Sequence, residues 1–177
     1  MVEYWAWENT LEKSLCEEII ASFKSDKATT GTIGGNNHVS TSTYRKSELN
    51  WLPQNCLIEN ILFEHGVAAN QRAGWNFDVN AVEQVQLARY PVGGHYKLHT
   101  DSQITDYPRK ITVIAILSDP TTYEGGDLVL GREDAPPMAK SQGTIVAFPS
   151  THQHLVTPLL SGVRFSATMW IHGPNWK

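Results

Sequence analysis

From Asn80 onward the chain is a succession of short apolar or alternating segments broken by turn residues, with no helical apolar pattern between them. The segments are residues 83–90, 96–101, 111–117, 127–130, 144–148, 154–157 and 164–171. Their length and alternation predict strands. The breaks carry Pro91-Val92-Gly93-Gly94, Glu124-Gly125-Gly126 and Ser161-Gly162, all turn chemistry. Parallel strands need crossover connections, usually helical, and none of these breaks can supply one. An antiparallel sandwich or barrel is therefore predicted for this half.

The first half has a different texture. Asn9 is a candidate helix cap, with Glu12 three residues on in the reciprocal position. Leu11, Leu15, Ile19 and Phe23 then recur every fourth residue as one apolar stripe. Residues 25–37 are polar and contain Gly34-Gly35, which predicts a loop or hairpin tip. Pro53 is placed to open a second helix whose core face would hold Leu57, Ile58, Ile61 and Leu62. No linker divides the chain. One domain over residues 1–177 is expected, with a helical part at about 1–80 packed on one face of a mainly β core at about 81–177. The 177 residues suffice to bury a core without staples.

Charge and cysteine content narrow the function classes. The net charge of −4 and the scattered Lys and Arg give no basic stripe, so no nucleic-acid partner is expected. Cys16 and Cys56 are too few for a disulfide framework or a four-Cys zinc site and read as buried thiols. No apolar stretch approaches the ~20 residues of a membrane span, and Met1 to Trp5 do not begin a secretory signal. A reducing, cytoplasmic location is expected.

The segment His99-Thr100-Asp101 carries the first sign of chemistry. On a strand, residues two apart point to the same face, so one imidazole and one carboxylate would project together. A further histidine from the strand near 154 would complete two histidines and one carboxylate, a set that leaves positions open on Fe(II). Either His152 or His154 could face that way. His95, four residues before His99, would not converge with it on a strand and is expected at the surface or a pocket rim. His38, His65 and His172 have no partner pattern.

The surroundings of that pair resemble the Fe(II)/2-oxoglutarate dioxygenases, in particular the prolyl 4-hydroxylase-like branch. The resemblance rests on Tyr90, Gly93 or Gly94, and Tyr96 ahead of His99 and Asp101. It rests also on Tyr123-Glu124-Gly125-Gly126-Asp127-Leu128, and on Phe148-Pro149-Ser150 leading through His154-Leu155-Val156-Thr157-Pro158 to Gly162-Val163-Arg164-Phe165-Ser166. These blocks cover residues 83–170. The implied fold is a double-stranded β-helix (jelly roll). The implied iron ligands are His99, Asp101 and His154, with His154 preferred to His152 because Arg164 follows it by the family's interval.

The same resemblance makes Arg164 the clamp for the remote carboxylate of 2-oxoglutarate, a task suited to a buried guanidinium. Ser166, on its strand face, and Tyr90 are expected to assist, and Tyr96 to lie nearer the substrate. Trp170, six residues after Arg164, is placed as in some peptidyl prolyl hydroxylases, with core filler as the alternative. The middle strand lacks the Tyr that some prolyl hydroxylases use for that carboxylate, and Thr112 or Ser166 could replace it. The implied activity is hydroxylation of a C–H bond with Fe(II), 2-oxoglutarate and O₂, with ascorbate as a further expected requirement, releasing succinate and CO₂. A peptidyl proline is the leading substrate, ahead of another protein side chain or a small molecule. Residues 102–110 and 24–50, the latter including Arg45-Lys46, are the expected walls of the substrate site. A non-catalytic β-helix or cupin-like binding module is the alternative, although cupins usually open with His-x-His rather than His-x-Asp.

Overall fold

Alternation along the late segments sorts their side chains onto the two faces of one large sheet. The computed structural model describes residues 2–31 and 43–175, so Gly34-Gly35 and His38 lie outside the described residues. The strands are β1 (Trp5–Trp7), β2 (Thr29–Thr30), β3 (Arg45–Lys46), β4 (Glu48–Trp51), β5 (Ala81–Val82), β6 (Gln86–Tyr90), β7 (His95–His99), β8 (Arg109–Ile116), β9 (Glu124–Gly125), β10 (Leu128–Leu130), β11 (Ile145–Pro149), β12 (His154–Val156), β13 (Leu159–Ser161) and β14 (Arg164–His172). Two α-helices precede β5, α1 (Lys13–Ala21) and α2 (Leu57–Arg72).

The major sheet runs β1-β11-β8-β14-β6-β4-β2, with β5 beside β14. A four-stranded sheet, β10-β12-β7-β3, faces it, and β13 pairs with β9. All the pairings are antiparallel. This is the expected mainly β architecture, and its two facing sheets are those of a double-stranded β-helix. On one face of the major sheet, Leu87, Ile111, Val113, Ala115, Ile145, Ala147, Ala167, Met169 and Ile171 form the main core with α1 and α2. Their neighbours on the other face, among them Gln86, Ala88, Tyr90, Ile114, Arg164, Ser166, Thr168 and Trp170, line a cavity of about 780 Å³ between the sheets.

The seven expected strands all form, with ends shifted by up to three residues. The N-terminal half departs from expectation because it also contributes strands: β1, β2 and β4 extend the major sheet and β3 completes the smaller one. Segments of two to four residues have no period to read, and their partners lie far along the chain. Both helices also start later than their signals suggested, α1 by three residues and α2 by four. Asn9 adopts a left-handed φ of 51°, and the amides of Thr10 and Leu11 donate to the Gly143 carbonyl at 3.0 Å each. Those donors are committed to the sheet end, so α1 opens at Lys13 with Glu12 as an uncapped N-cap. At α2, Asn55 takes a φ of 58° and its amide donates to Glu59 Oε1, leaving Pro53 in the approach. Ile58 and Leu62 are buried as expected, but Leu57 is 61% exposed because the later start turns it outward.

Gly66 is where α2 meets the sheet most closely. A Cβ there would sit 2.3 Å from Ile171 Cδ1 and 2.9 Å from Val113 Cγ2. Alanine in a helix is favoured over glycine by about 1 kcal/mol. Overpacking against Ile171 and Val113, both 0% exposed, costs about 1–3 kcal/mol and should win. Gly66→Ala is therefore expected to lower stability in urea unfolding despite its better helix propensity.

Candidate metal centre

Three side chains converge in the cavity from two pieces of chain. His99 ends β7, His154 opens β12, and the two residues pair directly across the smaller sheet. Asp101 lies beyond β7 rather than on it, so the strand-alternation argument does not place it. Its position comes from its backbone N–H and that of Ser102, which both donate to the Ser150 carbonyl, at 3.0 and 2.9 Å. The closest atoms are His99 Nε2 to Asp101 Oδ1 at 3.5 Å and His154 Nε2 to Asp101 Oδ2 at 3.4 Å. Among the described residues this is the one group of three or more potential metal ligands, and its donor atoms lie within 4.8 Å of one another.

Each ring is oriented by its other nitrogen. His99 Nδ1 lies 2.7 Å from the Lys97 carbonyl and His154 Nδ1 lies 3.3 Å from the His152 carbonyl. Each Nδ1–H therefore donates to a carbonyl, which leaves the Nε2 lone pair directed at the group. Tyr96 stacks on His99 at a centroid distance of 3.5 Å, and Phe148 meets His154 edge-on at 4.8 Å. Burial pushes His154 down to about 4 despite the Asp101 carboxylate, so it is neutral at pH 7. Burial alone would raise the Asp101 carboxyl, but His154 and His99, with the Trp170 indole, hold it well below the usual carboxylate range.

These residues fit a dication. His99 Nε2 is buried without a hydrogen-bond partner, and a lone pair so placed is satisfied by an ion. Two neutral imidazoles and one carboxylate are the donor set of non-haem Fe(II) sites with open positions. His152 lies outside the group and contributes only its carbonyl. His95 is half-buried and bonded to loop carbonyls, His65 bonds Ile61 and packs on Trp7, and His172 bonds Glu83.

The grip on Asp101 was only partly legible. Its Oδ2 accepts from Thr112 Oγ1 and from Trp170 Nε1, both at 2.9 Å, and Thr112 also bonds Ser150 Oγ at 2.9 Å. Thr112 is thus committed to the Asp101 carboxylate and does not take the role of the missing Tyr. Trp170 is not simple core filler, since it both lines the cavity and donates to Asp101. Its place on the same strand face as Arg164 was the available signal. Trp170→Phe keeps the ring and removes the donor. Lost outer partners of a metal site typically cost about 10–100-fold in affinity, and a loss of that order in Fe(II) affinity is expected by titration, with little change in fold.

Arg164 opens β14 and is 2% exposed. Its guanidinium carbon lies 5.3 Å from the Tyr90 ring centroid, and Nη1 reaches Ser166 Oγ at 3.4 Å. Arg164 and Tyr90 are cross-strand partners. Gly126 explains part of the Gly-Gly turn: a Cβ there would come within 2.9 Å of Arg164 Cδ, so the bare backbone lets the arginine stem pass. No carboxylate among the described residues lies within ion-pair distance of Arg164. A buried guanidinium with only neutral neighbours is suited to an incoming anion. Both expected walls contribute to the cavity lining, Ser102, Gln103 and Arg109 from residues 102–110 and Thr29, Thr30, Tyr44, Arg45 and Leu49 from residues 24–50. Sequence reasoning passed over Gln86 as a site residue and placed Arg109 only within a wall; both reach the cavity.

Residues 85–172 match the 2OG-Fe(II) oxygenase superfamily. The chain is 34% identical over 96 residues to a PKHD-type hydroxylase of Synechococcus sp. (strain CC9605), covering 52% of this chain and 43% of that one. It is 36% identical over 89 residues to a PKHD-type hydroxylase of Shewanella baltica (strain OS185), covering 47% and 40%. The chain thus spans less than half the length of these curated relatives. Solved structures resemble it more completely. A Pseudomonas putida prolyl-4-hydroxylase superposes with a TM-score of 0.75 at 19% identity, covering 98% of this chain and 94% of that one. The viral collagen prolyl hydroxylase of Paramecium Bursaria Chlorella virus-1, in its 2OG complex, gives 0.74 at 22% identity, covering 97% of each. A Trichoplax adhaerens prolyl hydroxylase in complex with a hypoxia inducible factor peptide fragment gives 0.76 at 19% identity, covering 96% and 83%. At these identities the likeness is one of fold.

Proposed function

Because its β-rich part, residues 85–172, belongs to the 2OG-Fe(II) oxygenase superfamily, we propose that this protein hydroxylates a C–H bond using Fe(II), 2-oxoglutarate and O₂, acting on a peptidyl proline. The observation that carries this reading is the buried group of His99, Asp101 and His154 opening on a cavity that also contains buried Arg164. The three residues would hold Fe(II). Arg164, with Ser166 and Tyr90 beside it, would hold the remote carboxylate of 2-oxoglutarate by charge-assisted hydrogen bonds. Bound iron with 2-oxoglutarate and O₂ supplies the oxidising power that breaks the C–H bond, with succinate and CO₂ as co-products.

The protein's own contribution is orientation and exclusion of water. Trp170 and Thr112 hold the Asp101 carboxylate in place by donating to its Oδ2. The Lys97 and His152 carbonyls set the imidazole tautomers. Ile114 and Leu128 give the cavity an apolar wall. The complete donor set weighs against a vestigial binding module. The peptidyl reading draws support from the fold shared with prolyl hydroxylases, one of them solved with a peptide fragment. Ascorbate would keep the iron reduced. Cys16 and Cys56 are both free thiols, Cys16 buried and Cys56 half-buried, in keeping with a reducing, cytoplasmic setting. No helix among the described residues is long and apolar enough to cross a membrane.

The test incubates iron-loaded protein, 2-oxoglutarate and ascorbate with proline-containing peptides. Mass spectrometry is expected to show addition of one oxygen, with succinate rising in step. Turnover of a free amino acid or nucleotide with all peptides untouched would remove the peptidyl assignment and leave the oxygenase intact. Absence of succinate under every condition would remove both.

A further inference from the structure

Arg45 is a second buried cation of the cavity, and the chemistry described so far does not use it. It is 7% exposed and lies on β3, the short edge strand of the smaller sheet. Its Nε donates to Ser47 Oγ and its Nη2 to Gln86 Oε1, both at 2.8 Å, and its guanidinium carbon sits 4.5 Å from the Tyr96 ring centroid. All three partners are neutral. No carboxylate among the described residues lies within ion-pair distance of Arg45, and residues 32–42 contain neither Asp nor Glu. Arg109, which also lines the cavity, is by contrast forked onto Glu83. A guanidinium has five donors. Two of Arg45's are accounted for by neutral partners, and a guanidinium this buried is costly without an anion beside it.

The two uncompensated arginines line the same cavity but are held at different points of β6. Arg45 is held at Gln86 and Arg164 lies against Tyr90, and these two contacts share one face of β6. Four residues of strand separate them, roughly 13 Å, whereas a five-carbon dicarboxylate spans only about 5 Å. A 2-oxoglutarate whose remote carboxylate is held by Arg164 beside Tyr90 is thus too short to run along β6 to Gln86, where Arg45 is held. Formal charge agrees: Fe(II) offsets the two charges of 2-oxoglutarate and Asp101 offsets Arg164, so Arg45 is the charge left over. It is also close to the chemistry. Tyr96 lies under the Arg45 guanidinium on one side and stacks on His99 on the other, so an anion on Arg45 would sit one aromatic ring away from a metal ligand.

We propose that Arg45 anchors a carboxylate of the primary substrate, which makes that substrate an anionic peptide or amino acid. The inference rests on the oxygenase reading above and specifies its substrate class. The carboxylate is either a free C-terminus or an acidic side chain near the reacting residue. Lysine at this position would keep the charge but lose the two-pronged geometry.

The experiment immobilises the protein with Fe(II) and 2-oxoglutarate under argon and measures peptide retention by mass spectrometry. Three arms are offered: proline-containing tripeptides with a free C-terminus, the same peptides amidated, and amidated peptides containing Asp or Glu. Wild-type protein is expected to retain one of the two anionic arms at least tenfold over the neutral arm, and that arm identifies the source of the carboxylate. Arg45→Gln should lose the preference and Arg45→Lys should keep part of it, with circular dichroism melts reporting that each variant folds. Equal retention of neutral and anionic peptides by wild type, no retention in any arm, or a preference that survives in folded Arg45→Gln would each overturn the proposal. Binding of 2-oxoglutarate by iron-loaded wild type is measured alongside. Its failure sinks the oxygenase reading itself, whereas its success makes a missing preference count against Arg45 alone. If Arg45→Gln does not fold, the wild-type arms together with Arg45→Lys still decide the matter.

Discussion

Asp101→Ala is expected to abolish Fe(II) binding at any concentration that loads the wild-type protein. The substitution removes the one carboxylate of the group and leaves only the two imidazoles. Loss of an outer partner costs about 10–100-fold in metal affinity, so loss of the charged ligand itself should exceed that range. His99→Ala and His154→Ala should behave alike, while His152→Ala should bind iron normally, because its ring lies outside the group. The Asp101→Ala variant also strands two buried donors, Trp170 Nε1–H and Thr112 Oγ1–H. An unsatisfied buried group costs about 1–3 kcal/mol. Asp101→Asn, which keeps a carbonyl oxygen for those donors, separates a folding effect from a metal effect. The measurement is anaerobic Fe(II) titration beside urea unfolding. Iron bound normally by Asp101→Asn and Asp101→Ala would refute the assignment, and loss in His152→Ala with retention in His154→Ala would reassign the second imidazole.

Arg164→Ala is expected to weaken 2-oxoglutarate far more than it weakens iron. Truncating one partner of a buried, hydrogen-bonded charge pair costs about 2–5 kcal/mol. That converts to roughly a thirty-fold to several-thousand-fold rise in Kd. Iron binding should persist, since Arg164 contacts Ser166 and Tyr90 rather than His99, Asp101 or His154. Arg164→Lys should recover only part of the affinity, because a single ammonium cannot form two parallel hydrogen bonds to one carboxylate. Competition by Arg45 is checked in the same titration. If Arg164→Ala binds 2-oxoglutarate almost normally while Arg45→Gln does not, the roles of the two arginines are exchanged.

Much of the fold was readable because period-two alternation is a local property. Segments such as residues 111–117 and 164–171 are apolar on one face to fit the helices and mixed on the other to line a cavity. That pattern survives in the one-dimensional order. Helix starts were less readable because their signals compete with tertiary demands: Asn9 has the chemistry of a cap, yet the Gly143 carbonyl takes the amides of Thr10 and Leu11. Strands of two residues, such as Arg45–Lys46, have no period at all.

The candidate site divides the same way. His99, one half of a His-x-Asp pair, was legible from the residues themselves, whereas the choice of His154 over His152 and the clamp role of Arg164 came only from the resemblance to a family. The sequence alone therefore determined which residue types were available for an iron site and an anion clamp, because those signals are carried by near neighbours in the chain. Only the tertiary structure decided that Asp101 is positioned by the Ser150 carbonyl rather than by its strand, and that Trp170, 69 residues away, donates to it. It alone decided that a two-residue strand carries Arg45 into the cavity beside Tyr96. Hydrogen bonds and burial between distant segments depend on how the two sheets face each other, and no local pattern encodes that relation.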